Sequence, residues 1–302
     1  MDNNRQKGTL YIVVPCYNEE EALETSAEKL LEKLHELKAN GVVCEESRIV
    51  FVDDGSKDRT WDIIKGLYEE HEEIKGLRFA HNRGHQNAIL AGMMYAVKYC
   101  DYTITIDADL QQDVNAMERF ISAYMEGNEI VYGVRNSRDT DGLFKKLSAT
   151  LFYKSMKVMD CNIYENSADY RLMSKKALTA LAEYGEVNLF LRGIIPDIGL
   201  KSSVVHFDVF PRMQGESKYS LSKMFTLAVD GITSFSIKPI RMVFMMGILA
   251  LLVGVGMVIH IFYEHYFGYT VSGWSSILMS IWVLGGAILL SLGIIGEYVG
   301  RN

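Results

Sequence analysis

The stretch Tyr102-Thr-Ile-Thr-Ile-Asp-Ala-Asp-Leu-Gln111 decides how this chain is read. Tyr102 to Ile106 alternates and is rich in β-branched residues, the pattern of a buried strand. It runs straight into Asp107 and Asp109, one residue apart. In an open α/β sheet the C-terminal ends of the strands border the ligand crevice. Two carboxylates there need a counter-cation, because a buried unpaired charge is strongly unfavourable. A divalent metal meets that need, and hard oxygen donors select Mg²⁺ or Mn²⁺. Such a metal would in turn hold a diphosphate.

Upstream of this strand the chain alternates. Thr9 to Val14 reads as a strand stopped by Pro15, followed by the acidic turn Cys16-Tyr-Asn-Glu-Glu-Glu21. Leu23, Ala27, Leu30, Leu31, Leu34 and Leu37 form a helical stripe over residues 20–38, closed by Asn40-Gly41. Ile49 to Val52 is a strand ending in Asp53-Asp-Gly-Ser56, and Ser56 or Asp58 caps the helix carrying Trp61, Ile64 and Leu67. Leu77 to Ala80 is a strand, residues 81–87 a polar loop, and Ala88 to Tyr99 a helix. Downstream, Asp113 to Glu126 reads as a helix and Ile130 to Val134 as a strand ending at Arg135. This alternation predicts an α/β domain with a mostly parallel, doubly wound sheet. His81 and His85, in the polar loop, read as structural hydrogen-bonding groups.

The net charge of −7 argues against nucleic acid as a partner. The four cysteines have no CxxC spacing and read as reduced packing residues in a cytosolic domain. Residues 1–8 are polar, without a signal-peptide core.

The last part of the chain changes character. Leu143, Leu147, Leu151 and Val158 share a helical face flanked by Lys145, Lys146, Lys154 and Lys157. Residues 143–158 are thus either an interfacial helix on a membrane or a helix packed on the sheet with a solvated basic face. A second stripe, Leu221 to Phe235 within residues 220–236, lies just before two uncharged runs, Met242 to Phe262 and Ile277 to Ile295. Each run matches the ~20 residues of a spanning helix. Lys238 and Arg241 precede the first, Arg301 follows the second, and Tyr263 to Ser276 holds no Lys or Arg. The positive-inside rule then predicts a hairpin with both ends cytoplasmic. Residues 1–235 would be a cytosolic domain and residues 236–302 its membrane hairpin. Glycines in both runs permit close helix contact and leave room for a homo-oligomer.

Three acidic loops should gather at one sheet edge: Asn18-Glu19, Asp53-Asp54 and Asp107-Asp109. Val14-Pro-Cys-Tyr-Asn-Glu19, Asp53-Asp-Gly-Ser56 and Asp107-Ala-Asp-Leu-Gln111 resemble the inverting family-2 glycosyltransferases of GT-A fold. Ser167-Ala-Asp-Tyr-Arg-Leu172, Pro211-Arg-Met-Gln-Gly-Glu-Ser-Lys-Tyr219 and the apolar tail narrow the likeness to polyprenyl-phosphate glycosyltransferases, such as bactoprenol glucosyltransferases and dolichol-phosphate mannose synthases. That resemblance implies that Pro15, Tyr17, Glu19, Asp54 and Asp107 meet the nucleotide. It implies that Asp107, Asp109 and Gln111 hold Mg²⁺ or Mn²⁺ and, through it, the donor diphosphate. Arg135 would lie near the phosphates, Asp169 at the reaction centre, and Arg212, Ser217 and Lys218 on the acceptor phosphate. The chain departs from many relatives at Gln112-Asp113-Val114, where they carry a proline pair.

The implied reaction moves one hexose, of the glucose or N-acetylglucosamine class, from a UDP-hexose donor to a polyprenyl phosphate such as undecaprenyl phosphate, for modification of a cell-envelope glycan. Positive charge would build on the sugar and negative charge on the departing nucleoside diphosphate. An ionised lipid phosphate needs cations to place it, so Asp169 would orient the donor or Arg171. A hydroxyl acceptor, on a glycolipid or glycan, would instead need Asp169 as a general base. A third reading is a membrane protein that binds or moves lipid-linked sugars without chemistry. Arg212 and Lys218 would also suit a face toward anionic lipid heads.

Overall fold

A computed structural model describes residues 7–136, 167–185, 191–210, 238–267 and 274–299. The proposed interfacial helices near 143–158 and 220–236, together with Arg212, Ser217, Lys218 and Arg301, lie outside the described residues. The chain falls into two compact units, one holding the sheet and one holding the two apolar helices.

The first unit is built on seven strands: β1 (Leu10–Cys16), β2 (Arg48–Asp53), β3 (Ile74–Arg78), β4 (Tyr102–Thr105), β5 (Ile130–Arg135), β6 (Ser167–Ser174) and β7 (Ser202–Phe207). Their order is β3-β2-β1-β4-β6-β5-β7. All pairings are parallel except those of β6, which runs antiparallel between β4 and β5. The expected mostly parallel α/β sheet is thus present, with one reversed strand inserted.

The helices of this unit are α1 (Leu23–Ala39), α2 (Thr60–Glu70), α3 (His85–Ala96), α4 (Ala116–Met125), α5 (Lys175–Ala182) and α6 (Leu191–Asp197). The six apolar residues of the α1 stripe are all buried, and they pack with Leu10, Ile12, Val14, Ile49 and Phe51 of the sheet. Alternation along β6 then divides two faces. Ala168, Tyr170 and Leu172 join this core beside Phe120 of α4, which places Asp169 and Arg171 on the opposite face.

Pro15 does not stop β1, which continues to Cys16 opposite Asp53. The carbonyl of Val13 accepts from Ile106, toward β4, and that of Cys16 accepts from Asp54, toward β2. Period two then turns the donorless nitrogen of Pro15 toward β4, whose ladder with β1 ends at Val13–Thr105, so no bond is lost.

The second unit is a pair of long helices, α7 (Lys238–Phe267) and α8 (Trp274–Val299). Each extends beyond the uncharged run that announced it, and Tyr263 to Phe267, expected in the loop, is helical. Ile240–Tyr263 and Met279–Gly296 are long and apolar enough to cross a membrane, with mean hydropathies of 2.7 and 2.1. Met242, Leu249, Phe262, Leu284 and Ile295 are all exposed. The two helices meet through glycine: a Cβ at Gly247 would lie 2.6 Å from the Leu290 backbone nitrogen, and one at Gly293 would lie 2.7 Å from the Phe244 Cα.

Candidate active site

Three loops at the C-terminal edge of the sheet are laced together. Asn18, the first residue past Tyr17, sits at φ 52°. Its N–H donates to Ser56 Oγ at 2.9 Å, and its side-chain oxygen accepts from the Lys57 N–H at 2.9 Å. The Glu19 N–H donates to Thr60 Oγ1 at 2.9 Å, and the Arg59 N–H donates to the Glu20 carboxylate at 3.0 Å. Asp58, which Thr60 contacts through N–H and hydroxyl, supports the start of α2, whereas Ser56 faces Asn18.

Asp53 and Asp54 each tie neighbouring segments together. Asp53 accepts the Ser56 N–H at 2.9 Å and pairs with Arg78 at 3.1 Å. Asp54 takes the N–H groups of Arg83 at 2.6 Å and Gly84 at 2.9 Å, one on each oxygen, and so fixes the β3–α3 loop. Gly55 makes this approach possible. Its φ is +68°, and a Cβ would lie 2.6 Å from the His81 carbonyl carbon. The Asp-Gly-Ser sequence therefore docks one loop on the next, and Pro15, Tyr17, Glu19 and Asp54 all belong to this laced edge.

The antiparallel course of β6 builds the centre. Its ladder with β4 pairs Tyr102 with Ser174 and Thr105 with Arg171. Two residues further on, the same register sets Asp107 beside Asp169. The Thr105 hydroxyl donates to the Asp169 carbonyl, which secures that end of the strand. His85, the first residue of α3, places Nε2 3.4 Å from Asp107 Oδ1 and 3.7 Å from Asp169 Oδ2. The sequence suggests a structural histidine here; the structure places it between the two carboxylates. Its position in a polar loop left either role open, because the contact depends on a distant strand.

Asp169 is buried, at 5% exposure, and carries two arginines. Arg171 Nη2 donates to Oδ1 at 2.6 Å. Arg192 of α6 donates Nε to Oδ1 at 3.2 Å and Nη2 to Oδ2 at 3.0 Å. Burial by itself would raise the Asp169 pKa, but Arg192, His85 and Arg171 outweigh it and hold the carboxyl well below the usual carboxylate range. Burial likewise disfavours charge on His85, yet Asp169 and Asp107 prevail and raise its pKa. Arg171 was a suggested partner of Asp169; Arg192 had no motif around it to mark it.

Asp107 is about one-third exposed and accepts from Gln112 Nε2 at 2.5 Å. The neighbouring Gln111 works through its backbone here: its N–H donates to Asp109 Oδ1 at 3.3 Å and its carbonyl accepts from Phe210 at 2.8 Å. Leu110, between the two, takes a φ of +43°. Among the described residues no group of three or more His, Cys, Asp or Glu is arranged around a metal site. A pair of hard carboxylates still fits Mg²⁺ or Mn²⁺, which are commonly held by one or two carboxylates plus substrate phosphates. Arg135 ends β5 and is not among the groups on Asp169.

These are the parts of a glycosyltransferase, and the match to known proteins runs through them. Residues 11–181 match the family model described as Glycosyl transferase family 2, from β1 into α5. The chain belongs to that family and is a glycosyltransferase. It is 46% identical over 291 residues to a glycosyltransferase of Bacillus subtilis named YkoT, covering 96% of this chain and 86% of that one. It is 37% identical over 295 residues to a bactoprenol glucosyl transferase of Shigella phage SfX, covering 96% and 93%. Among solved structures it is similar to the mannosyltransferase PcManGT from Pyrobaculum calidifontis in complex with GDP-Man and Mn²⁺, at 14% identity and a TM-score of 0.48, covering 95% of this chain and 88% of that one.

Proposed function

We propose that the protein transfers one hexose, of the glucose or N-acetylglucosamine class, from a UDP-linked donor to a polyprenyl phosphate such as undecaprenyl phosphate, with inversion. The observation that carries this reading is the clamped state of Asp169. A hydroxyl acceptor loses a proton as it attacks and needs a base to take it. A buried carboxylate held by three arginine nitrogens within 3.2 Å is a poor base. A phosphate monoester is already ionised near neutral pH, its second pKa being about 6, and asks for no base. The bactoprenol glucosyl transferases, similar over 96% of this chain, support the same acceptor class.

In this mechanism a lipid phosphate oxygen forms the new bond to the anomeric carbon. The bond from that carbon to the donor diphosphate breaks, and its electron pair leaves with UDP. One displacement with no covalent intermediate inverts the centre. Pro15, Tyr17, Glu19 and Asp54 would line the nucleotide. Asp107 and Asp109, with Gln111 as a third oxygen donor, would hold Mg²⁺ or Mn²⁺, which supplies charge neutralisation at the departing diphosphate. Arg135 would add positive charge near the phosphates, and Arg212, Ser217 and Lys218 would meet the acceptor. Asp169 acts as an orienting anion for Arg171, Arg192 and His85.

The apolar pair α7 and α8 would anchor the protein in the cytoplasmic membrane. By the positive-inside rule, Lys238, Arg241 and Arg301 in the sequence favour a sheet domain and both termini on the cytoplasmic side. The test offers the purified full chain a panel of nucleotide sugars with undecaprenyl phosphate and Mn²⁺ or Mg²⁺. The expected result is lipid-dependent release of UDP and a sugar-phospholipid, abolished by a chelator and restored by the metal. Equal turnover with a lipid alcohol, or activity indifferent to chelation, would overturn the proposal.

A further inference from the structure

The loop that follows β4 bends back on itself. The Leu110 N–H donates to the Asp107 carbonyl at 3.2 Å, and Leu110 takes its left-handed φ of +43° at this turn. The bend brings the side chain of Gln112 to the carboxylate five residues before it, where Nε2 donates to Asp107 Oδ2 at 2.5 Å. The backbone of Gln112 is fixed as well. It pairs with Val209 in an isolated antiparallel bridge, beside the bond from the Phe210 N–H to the Gln111 carbonyl at 2.8 Å.

This contact is made at the expense of another. Gln112 is 3% exposed, and its Oε1 finds no hydrogen-bond partner among the described residues. A buried acceptor left unsatisfied is unfavourable, and an apolar side chain of the same size would fill the space with no orphaned atom. Turning the amide over gives no relief, because Oε1 would then face a carboxylate that only accepts. Asp107 is 31% exposed, so water serves its carboxylate where the amide is missing. Stability alone therefore does not account for a glutamine here. What the amide does is occupy Asp107 Oδ2 and leave Oδ1, 3.4 Å from His85 Nε2, to the site. Ligating carboxylates are commonly oriented by such a hydrogen bond from behind.

We propose that Gln112 is a positioning residue for the metal: its amide holds the Asp107 carboxylate turned toward the divalent ion that meets the donor diphosphate. Gln112 acts through Asp107 and is separate from Asp109 and Gln111. This deepens the metal-dependent reading above and rests on it.

The test compares the full chain in detergent with Gln112→Met, which keeps the volume and removes the donor, and Gln112→Asn, whose amide sits on a side chain one carbon shorter. Mn²⁺ is titrated into each protein with UDP present, the free ion being read by electron paramagnetic resonance against a protein-free blank. UDP binding in the presence of a chelator is measured by calorimetry. Both variants should bind Mn²⁺ roughly 10- to 100-fold more weakly, the range for losing a hydrogen bond behind a metal ligand. Their UDP affinity in chelator should stay within about twofold, the size of a contact not made. Unchanged Mn²⁺ affinity in both variants overturns the proposal. So does a UDP affinity in chelator that falls by the same factor as the Mn²⁺ affinity, which would make Gln112 a nucleotide or folding contact. If Gln112→Met does not fold, Gln112→Asn decides by the same two comparisons. A parent protein that binds no Mn²⁺ beyond the blank refutes the metal reading and this role with it, whereas a parent that binds Mn²⁺ no better than its variants refutes the role alone.

Discussion

Asp169→Asn isolates the charge of the clamp while keeping its shape. The variant leaves Arg171, 2% exposed, and Arg192, 26% exposed, without their shared anion. It also turns a new NH₂ toward groups that are themselves donors. Removing one partner of a buried ion pair costs about 3–5 kcal/mol. The lower end applies, because one amide oxygen remains to accept. For a domain of this size about 3 kcal/mol lowers the Tm by roughly 6–12 °C. The pH dependence has two parts. The folded pKa of Asp169 is depressed, so its contribution is present above the unfolded value of about 3.9 and is lost only as pH falls through the lower folded value. That part of the gap between the two proteins is constant from pH 5 to 8. The folded pKa of His85 is raised, so its contribution is complete below about 6.5 and fades as pH rises through the folded value. Asp169 is the first of the groups that raise it, so the gap narrows above neutrality. The assay is thermal unfolding of both proteins across pH 5–8, with transfer rates measured in parallel. The wild-type rate should fall on the acid side near the second phosphate pKa of the acceptor, about 6, with no limb belonging to Asp169. An unchanged Tm, or an enzyme limb that Asp169→Asn removes while the fold stays intact, would refute the clamp.

Other expectations concern the loops, the outer helices and the apolar pair. Gly55→Ala should cost about 2 kcal/mol or more, because a left-handed φ and a collision with the His81 and Asn82 backbone coincide; nucleotide affinity should fall with stability, and a variant as stable as the parent would contradict the docking of the two loops. Lys33 is 4% exposed and bridges Glu36 at 2.9 Å and Glu118 at 2.6 Å, two half-exposed carboxylates that can rehydrate. Lys33→Met should therefore stay within about 1 kcal/mol of the parent in denaturant unfolding, and Lys33→Glu should lose several times more. Gly247→Val should separate α7 from α8, because the added carbon meets backbone at Leu290; a disulfide engineered between the two helices, formed readily in the parent, should form poorly in the variant.

Much of the sheet domain is legible in the sequence. The α1 stripe, the strands carrying Asp53 and Asp107, and the two apolar runs depend on local periodicity, and local periodicity survives in sequence. Boundaries moved by a few residues: the strand expected at Leu77 to Ala80 is Ile74–Arg78, and the helix expected from Ala88 begins at His85. β6 was not legible as a strand. All eight of its residues are buried, so no polar face alternates with an apolar one, and its Asp and Arg look like surface residues. They are tolerated inside because they pair with each other and with Arg192.

The candidate site divides along the same line. The sequence by itself determined which strand ends carry carboxylates, because the chemistry and the strand that presents it lie side by side in the chain. It also determined the family, through motifs that are each contiguous. Only the tertiary structure decided what Asp169 is. Its neighbours His85 and Arg192 come from a helix before the central strand and a helix after the reversed one, brought together by a register that no local pattern encodes. A carboxylate in sequence is a base, a ligand or a counter-ion alike; the distances to its partners set its pKa, and those distances exist only in the fold.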